Sequence, residues 1–327
     1  MLRWIKRTLI AVVGLVLVAA LVGFTYQSLA TRRDLARTPA PGRLQDIGGR
    51  RLHIWCSGSG TPSVILEAGL GGTTADWGLV QPEVANFTNV CSYDRAGMGY
   101  SDSGPSPRTL ARINGELTQL LDRAGVPSPV VLVGASIGGL SARLLASQHP
   151  DRVAGLVLVD PSSEDEAPHL PPIAPYVPLY SSLGIFRLRG VTFGPPPASL
   201  PLATRRLAEA TSRRTAAYET TLDEITHLPE GLAEVKATRR PLTIPLVVVT
   251  AGRGSDAAWL ESQRRQAALS SRGCQVIAEN SGHGIAVGQP DIVVRAIQSV
   301  VDAASGHSAA SICAERLAEA GATGPRR

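Results

Sequence analysis

Residues 134–138 read Gly-Ala-Ser-Ile-Gly, with a glycine two positions before and two after Ser136. Val130 to Val133, just before, is a short β-branched apolar run that suits a strand buried on both faces. From Ile137 onward Leu140, Leu144 and Leu145 recur at helical spacing. A strand turning abruptly into a helix strains its apex residue and leaves no room for side chains two positions away on either side. Such a turn presents the Ser136 hydroxyl at its apex, beside a helix N-terminus that favours negative charge. Five-residue matches of this kind also arise by chance, and Ser136 could be an ordinary N-cap. The strand before it and the helix after it are the context that the chemical reading requires.

A serine hydroxyl becomes a useful nucleophile only when a base takes its proton, and that base needs a third group to orient it. The sequence holds six histidines. His53 falls inside a strand, His149 ends the helix after Ser136, His169 and His227 lie in a proline-rich insertion, and His307 lies in the tail. His283 sits in Asn280-Ser-Gly-His-Gly-Ile, directly after the last strand. Active-site loops collect at that end of parallel strands, so His283 is the expected base.

The elements that must position these groups follow a simple alternation. Residues 43–56 read as two strands joined at Gly48-Gly49. Further strands are expected at 63–67, 89–93, 130–133, 153–159, 244–250 and 274–278. An amphipathic stretch at 109–124 and expected helices at 257–271 and 290–303 separate several of them. This pattern predicts an α/β fold, a mostly parallel sheet covered by helices on both sides. Residues 161–240 break the pattern with about 80 residues between two strands, far above the usual handful. The expectation there is a cap over the site, with a helix over 203–228.

Thr8 to Tyr26 carries no charge, and about 19 residues at 1.5 Å each match a bilayer's ~30 Å hydrocarbon core. Arg3, Lys6 and Arg7 precede it, with Trp4 and Tyr26 near its ends. The expected organisation is an N-terminal anchor over 1–30, in contact with membrane through 8–26, and a tether over 31–42. The alternative is a signal peptide cleaved near Ala30. Both place the remainder outside the cytoplasm. The net charge of +5 comes from arginines at both ends and in the insertion, with only 4% aromatic residues, so no nucleic-acid partner is expected. No zinc-ligand spacing and no glycine-rich nucleotide loop is present, so neither metal nor cofactor is expected.

The Gly-Ala-Ser-Ile-Gly-Gly turn, the order of Ser136, acid and His283, and Asp94-Arg-Ala-Gly-Met-Gly-Tyr-Ser101 together resemble the α/β-hydrolase superfamily across residues 43–303. Two positions depart from its pattern. Ala135 stands where the elbow usually carries histidine, and Ala68-Gly69 where His-Gly is common. The resemblance implies an oxyanion hole made by the N–H groups of Leu70 and Ile137, which side-chain type does not alter. It leaves two aspartates as triad acid: Asp160, which is favoured, and Asp256, which could instead cap the next helix. Asp94 reads as a loop-structuring residue. The resemblance also places Cys56 and Cys91 on antiparallel neighbouring strands, implying a disulfide; Cys274–Cys313 is a second expected pair. A 304–327 tail, with a short helix around 309–320, completes the chain. The function implied is a serine hydrolase of a carboxylic ester, hydrophobic or lipid-like. The same triad could act on a C–C, amide or peptide bond or in cofactor-free haloperoxidation, and a non-catalytic membrane-tethered binding protein is the rival of another class.

Overall fold

The computed structural model describes residues 1–165, 170–191 and 196–306. Strands β1 (Arg43–Asp46), β2 (Arg51–Ser57), β3 (Val64–Glu67), β4 (Val90–Tyr93), β5 (Val130–Ala135), β6 (Val153–Val159), β7 (Leu246–Ala251) and β8 (Gly273–Ala278) form one sheet. Its order is β1-β2-β4-β3-β5-β6-β7-β8. β2 runs antiparallel to β1 and β4, and the remaining pairings are parallel. Helices α1 (Leu2–Arg37), α2 (Gln81–Val84), α3 (Leu110–Ala124) and α4 (Ile137–Gln148) come before β6. Between β6 and β7 lie α5 (Val177–Ser182), α6 (Ile185–Leu188), α7 (Leu202–Ser212), α8 (Thr215–Thr226) and α9 (Leu228–Thr238). The chain then continues with α10 (Ala257–Ala267), α11 (Ile285–Gly288) and α12 (Pro290–Ala304).

The central strands can be apolar at every position because both faces of the sheet are covered. Val131, Val133, Val157, Val247 and Val249 pack in one core with Val293, Ile297 and Val300 of α12. The alternate residues Leu132, Leu156, Leu158 and Val248 pack in another core with Leu117, Leu120 and Leu121 of α3. The insertion is helical, as expected of a cap, but the stretch predicted as one helix divides into α7 and α8 at Arg213-Arg214.

The N-terminal segment differs from expectation. The predicted tether over 31–42 is helical as far as Arg37, with no break near Ala30. Residues 27–37 contain neither glycine nor proline, and the first proline, Pro39, comes only after the helix has ended. The cap supplies a second reason. The buried Gln27 donates from Nε2 to the carbonyl of Arg213 at 2.7 Å and accepts from Arg187 Nε at 3.0 Å, and Arg187 forms an ion pair with Asp34. A Cβ on Gly23 would clash with the carbonyl of Leu183. Thus the last third of α1 is docked on the cap.

Cys56 and Cys91 face each other across β2 and β4 and form a disulfide, with Cα atoms 4.0 Å apart. Cys274 lies in β8, but its expected partner Cys313 and the tail helix fall outside the described residues. The bridge closes a loop across a sequence separation of 35. A Cys56→Ser/Cys91→Ser protein should therefore lose about 4 kcal/mol, through the extra freedom of its unfolded chain, read as a lower urea midpoint.

Candidate active site

Ser136 sits between β5 and α4 at φ 52°, ψ −122°. Asp160, one residue beyond β6, has φ 43°. Among the described residues these are the two non-glycine positions with positive φ, so the backbone strain of the molecule is concentrated at the carboxyl ends of two adjacent strands. The sequence makes the elbow possible. A Cβ at Gly134 would strike the backbone of Gly138, and one at Gly138 would lie 2.8 Å from the carbonyls of both Glu67 and Ala68. The Ser136 carbonyl accepts from Gly139 N at 2.9 Å and Ser162 N at 3.1 Å, which holds the turn.

His283 follows β8, and its Nδ1 hydrogen-bonds to Asp160 Oδ2 at 2.6 Å. With a carboxylate accepting at Nδ1, that nitrogen carries the proton and Nε2 is left with a lone pair. The other oxygen, Asp160 Oδ1, accepts from Ala251 N at 3.0 Å and from the Trp259 indole at 2.9 Å. Asp160 is buried, and both its oxygens are held by donors. Asp256 does something else: it accepts from Trp259 N at 2.7 Å and caps α10. Ser136 and His283 line one cavity of about 330 Å³, together with Leu70, Trp77, Leu200, Ile285 and Val287.

The loop after β3 closes this cavity from the other side. A Cβ at Gly69 would fall 3.2 Å from Ser136 Cβ, so the loop backbone passes directly over the serine. The Gly69 carbonyl accepts from Arg95 Nη2 at 2.7 Å and Gly72 N at 3.0 Å, and the Ala68 carbonyl accepts from Arg95 Nη1 at 2.7 Å. In a trans peptide the C=O and the next N–H point in opposite directions. Turning Gly69 O toward Arg95 therefore turns Leu70 N–H away from it. Ile137, the first residue of α4, carries an N–H with no intrahelical partner.

A model of the alpha/beta hydrolase family matches residues 64–296. The chain belongs to this family. An uncharacterised protein of Schizosaccharomyces pombe, C23C11.06c, is 28% identical over 294 residues, covering 75% of this chain and 53% of that one. The chain spans about half the length, or less, of several curated relatives it matches. Among solved structures, a thermophilic esterase from Thermogutta terrifontis superposes with TM-score 0.60 at 21% identity, covering 81% of this chain and 98% of that one. A bacterial membrane phospholipase A gives 0.58 at 21%, covering 92% and 99%. At these identities the likeness is one of fold.

In this α/β-hydrolase the residues expected from the sequence divide cleanly. Asp160 and His283 are hydrogen-bonded, and Ser136, Leu70 and His283 share a cavity. Of the other histidines, His53 is buried against Asp94 at 2.7 Å and His227 bonds the carbonyl of Asp223. His169 and His307 lie outside the described residues. Asp94 also accepts from Thr74 N and Tyr100 N, so it structures its loop. Three contributors escaped the sequence reading: Ser162, with Oγ 3.5 Å from Ser136 Oγ, Trp259, and the Arg95–Glu224 pair beneath the Gly69 loop. Only Arg95 carried a signal, its place in the Asp94-to-Ser101 loop.

Glu67, the last residue of β3, lies buried beneath the same loop. Burial pushes its carboxyl from 4.5 up to about 7, against the opposing pull of Arg95. Between those values the folded chain holds a proton that the unfolded chain has released. Glu67 therefore stabilises the fold most below pH 4.5 and loses that contribution as the pH rises to about 7. Compared with the wild type, Glu67→Gln should gain about 3 kcal/mol between pH 4 and 8 in urea unfolding. A constant difference across that range would rule out Glu67 as the titrating group.

Proposed function

We propose that this α/β-hydrolase is a membrane-anchored serine hydrolase that cleaves a carboxylic ester, hydrophobic or lipid-like in character. Ser136 Oγ attacks the ester carbonyl while His283 Nε2 takes its proton. The tetrahedral oxyanion is held by Leu70 N–H and Ile137 N–H, at the positive end of α4. His283 returns the proton to the departing alkoxide, leaving an acyl-Ser136. Water activated by the same ring then releases the acid. Asp160 fixes the ring's tautomer and stabilises the imidazolium formed in each half-reaction.

The observation that carries this reading is the Asp160–His283 hydrogen bond, made by a ring that lines the same cavity as the strained Ser136. The apolar lining of that cavity by Leu70, Leu200, Ile285 and Val287 supports a hydrophobic ester. α1 is long and apolar enough to cross a membrane, and its docked end supports an anchor that is retained: cleavage near Ala30 would remove Gln27 from its bonds to the cap. The disulfide supports a catalytic domain outside the cytoplasm.

The test is to treat the full chain, in detergent, with a fluorophosphonate probe and with a chain-length series of p-nitrophenyl esters. Labelling at Ser136 and turnover that Ser136→Ala abolishes are the expected results. A folded wild type that neither labels nor turns over would leave the non-catalytic binding protein as the better account.

A further inference from the structure

Among the described residues, the large apolar side chains exposed beyond α1 are, with the exception of Leu44, confined to the cap between Leu170 and Leu202. They include Ile173, Tyr176 and Leu179 around α5, Ile185 and Leu188 on α6, and Leu202 at the start of α7. Leu188 is 71% exposed and Tyr176 55%, a concentration that a water-facing surface does not favour. Their height along α1 is fixed by contact. Gly23 abuts the carbonyl of Leu183, in the link between α5 and α6, and a Cβ at Gly184 would lie 3.0 Å from the Tyr26 ring. The uncharged apolar run of α1 ends at the same level, at Phe24 to Tyr26. Exposed Arg32 and Arg33 follow about 12 Å further along the axis.

The cavities run the same way. The site cavity shares Leu70, Asp76, Pro197 and Leu200 with a second space of about 320 Å³. That space continues to Ala208, Thr211 and Ser212 of α7, one of the helices on which α1 packs. Space lined by apolar groups and, at Thr73, Asp76, Thr211 and Ser212, by polar ones thus leads from Ser136 toward the flank of the cap that carries the anchor.

We infer that the exposed apolar face of α5 and α6 is seated in the interfacial zone of the bilayer that holds α1. The site then draws its substrate, an ester with a long apolar chain, sideways out of that leaflet. This deepens the proposed function and rests on its anchor and its ester chemistry. Continuity with the anchor selects the bilayer over a second copy of the chain: α1 holds this face at the depth where its own apolar segment ends. Tyr176 and Tyr26, amphipathic aromatics at that depth, suit the boundary.

The experiment uses the full chain reconstituted into phosphatidylcholine vesicles, with two readouts. In the first, a Leu188→Trp protein is compared with its parent in vesicles of brominated phosphatidylcholine, and the introduced indole should be strongly quenched. In the second, Leu179→Asp/Leu188→Asp is assayed on a fluorogenic long-chain glycerol ester embedded in the vesicles and on soluble p-nitrophenyl butyrate. Vesicle hydrolysis should fall by about tenfold or more, with the soluble ester changed less than about twofold, because seating depends on buried apolar area. An unquenched indole together with unchanged vesicle hydrolysis would overturn the inference while soluble-ester turnover left the hydrolase reading standing. A quenched indole in a protein inactive on both esters would uphold the seating and sink the ester chemistry. An unquenched indole with a detergent-stable dimer that Leu188→Asp dissociates would assign the face to a second copy and overturn the inference.

Discussion

Replacing Asp160 by asparagine should lower kcat on a p-nitrophenyl ester by about four orders of magnitude, whereas Asp256→Asn should leave it within about twofold. The geometry gives the first result a specific cause. Ala251 N–H and the Trp259 indole both donate to Asp160 Oδ1. Two donors select an oxygen, so an asparagine would place its carbonyl there and its NH2 group opposite His283 Nδ1. A ring nitrogen facing a donor must accept, which moves the imidazole proton to Nε2. A histidine protonated at Nε2 cannot take the proton of Ser136. The fold should survive, because both hydrogen bonds to Oδ1 remain. Asp256 caps α10 by accepting from Trp259 N, and asparagine caps a helix about as well as aspartate, so neither activity nor stability should move. Trp259→Phe should fall between the two, removing one donor from Oδ1 and loosening the carboxylate without changing the tautomer. Steady-state kinetics and the rate of fluorophosphonate labelling read all three. A large loss in Asp256→Asn with near-normal Asp160→Asn would reverse the assignment of the acid.

The two aspartates also show what can be read from a sequence. The serine turn is legible because its requirements are local: a strand, a helix, and two glycines where β5 and α4 leave no room. His283 is legible by its position after the last strand. Which aspartate meets His283 is less so: Asp160 is favoured over Asp256 only by resemblance, because strand order decides it. Asp160 and Ala251 are 91 residues apart and meet only because β6 and β7 are parallel neighbours. Amphipathicity marks α3, and α12 reads as a helix; the apolar residues of both pack on the sheet. The end of α1 is not legible from where the apolar run stops, since helix continuation beyond Ala30 depends on the absence of breakers and on cap contacts such as Gln27 with Arg213. The cap is legible as an interruption of the strand–helix rhythm, while its separate helices and its exposed apolar face are not. Their burial is settled by tertiary neighbours that periodicity does not name.

The pair that joins cap to sheet carries the other large effect. Arg95 is buried, and burial alone would weaken its charge, but the Glu224 carboxylate overrides this and holds the guanidinium firmly protonated. Its Nε and Nη2 donate to Glu224 at 2.8 and 3.0 Å, and Nη1 and Nη2 donate to the carbonyls of Ala68 and Gly69. Glu224 belongs to α8 of the cap and the two carbonyls to the loop over Ser136, so a single side chain ties both to the body of the sheet. Glu224→Ala leaves a buried cation facing only backbone oxygens and Glu67, and should cost about 3–5 kcal/mol. Glu219→Ala, on the exposed face of the same helix, should change stability by less than about 0.5 kcal/mol. The kinetic consequence separates orientation from mere stability. If Arg95 sets the Gly69–Leu70 peptide, releasing it removes an interaction made only in the transition state. Under conditions where Glu224→Ala remains folded, kcat should fall by about a hundredfold with little change in KM. Glu224→Asp should recover part of that loss. A variant that is less stable but keeps its kcat would reduce the clamp to a structural tie and leave the direction of Leu70 N–H to the Gly69–Gly72 turn alone.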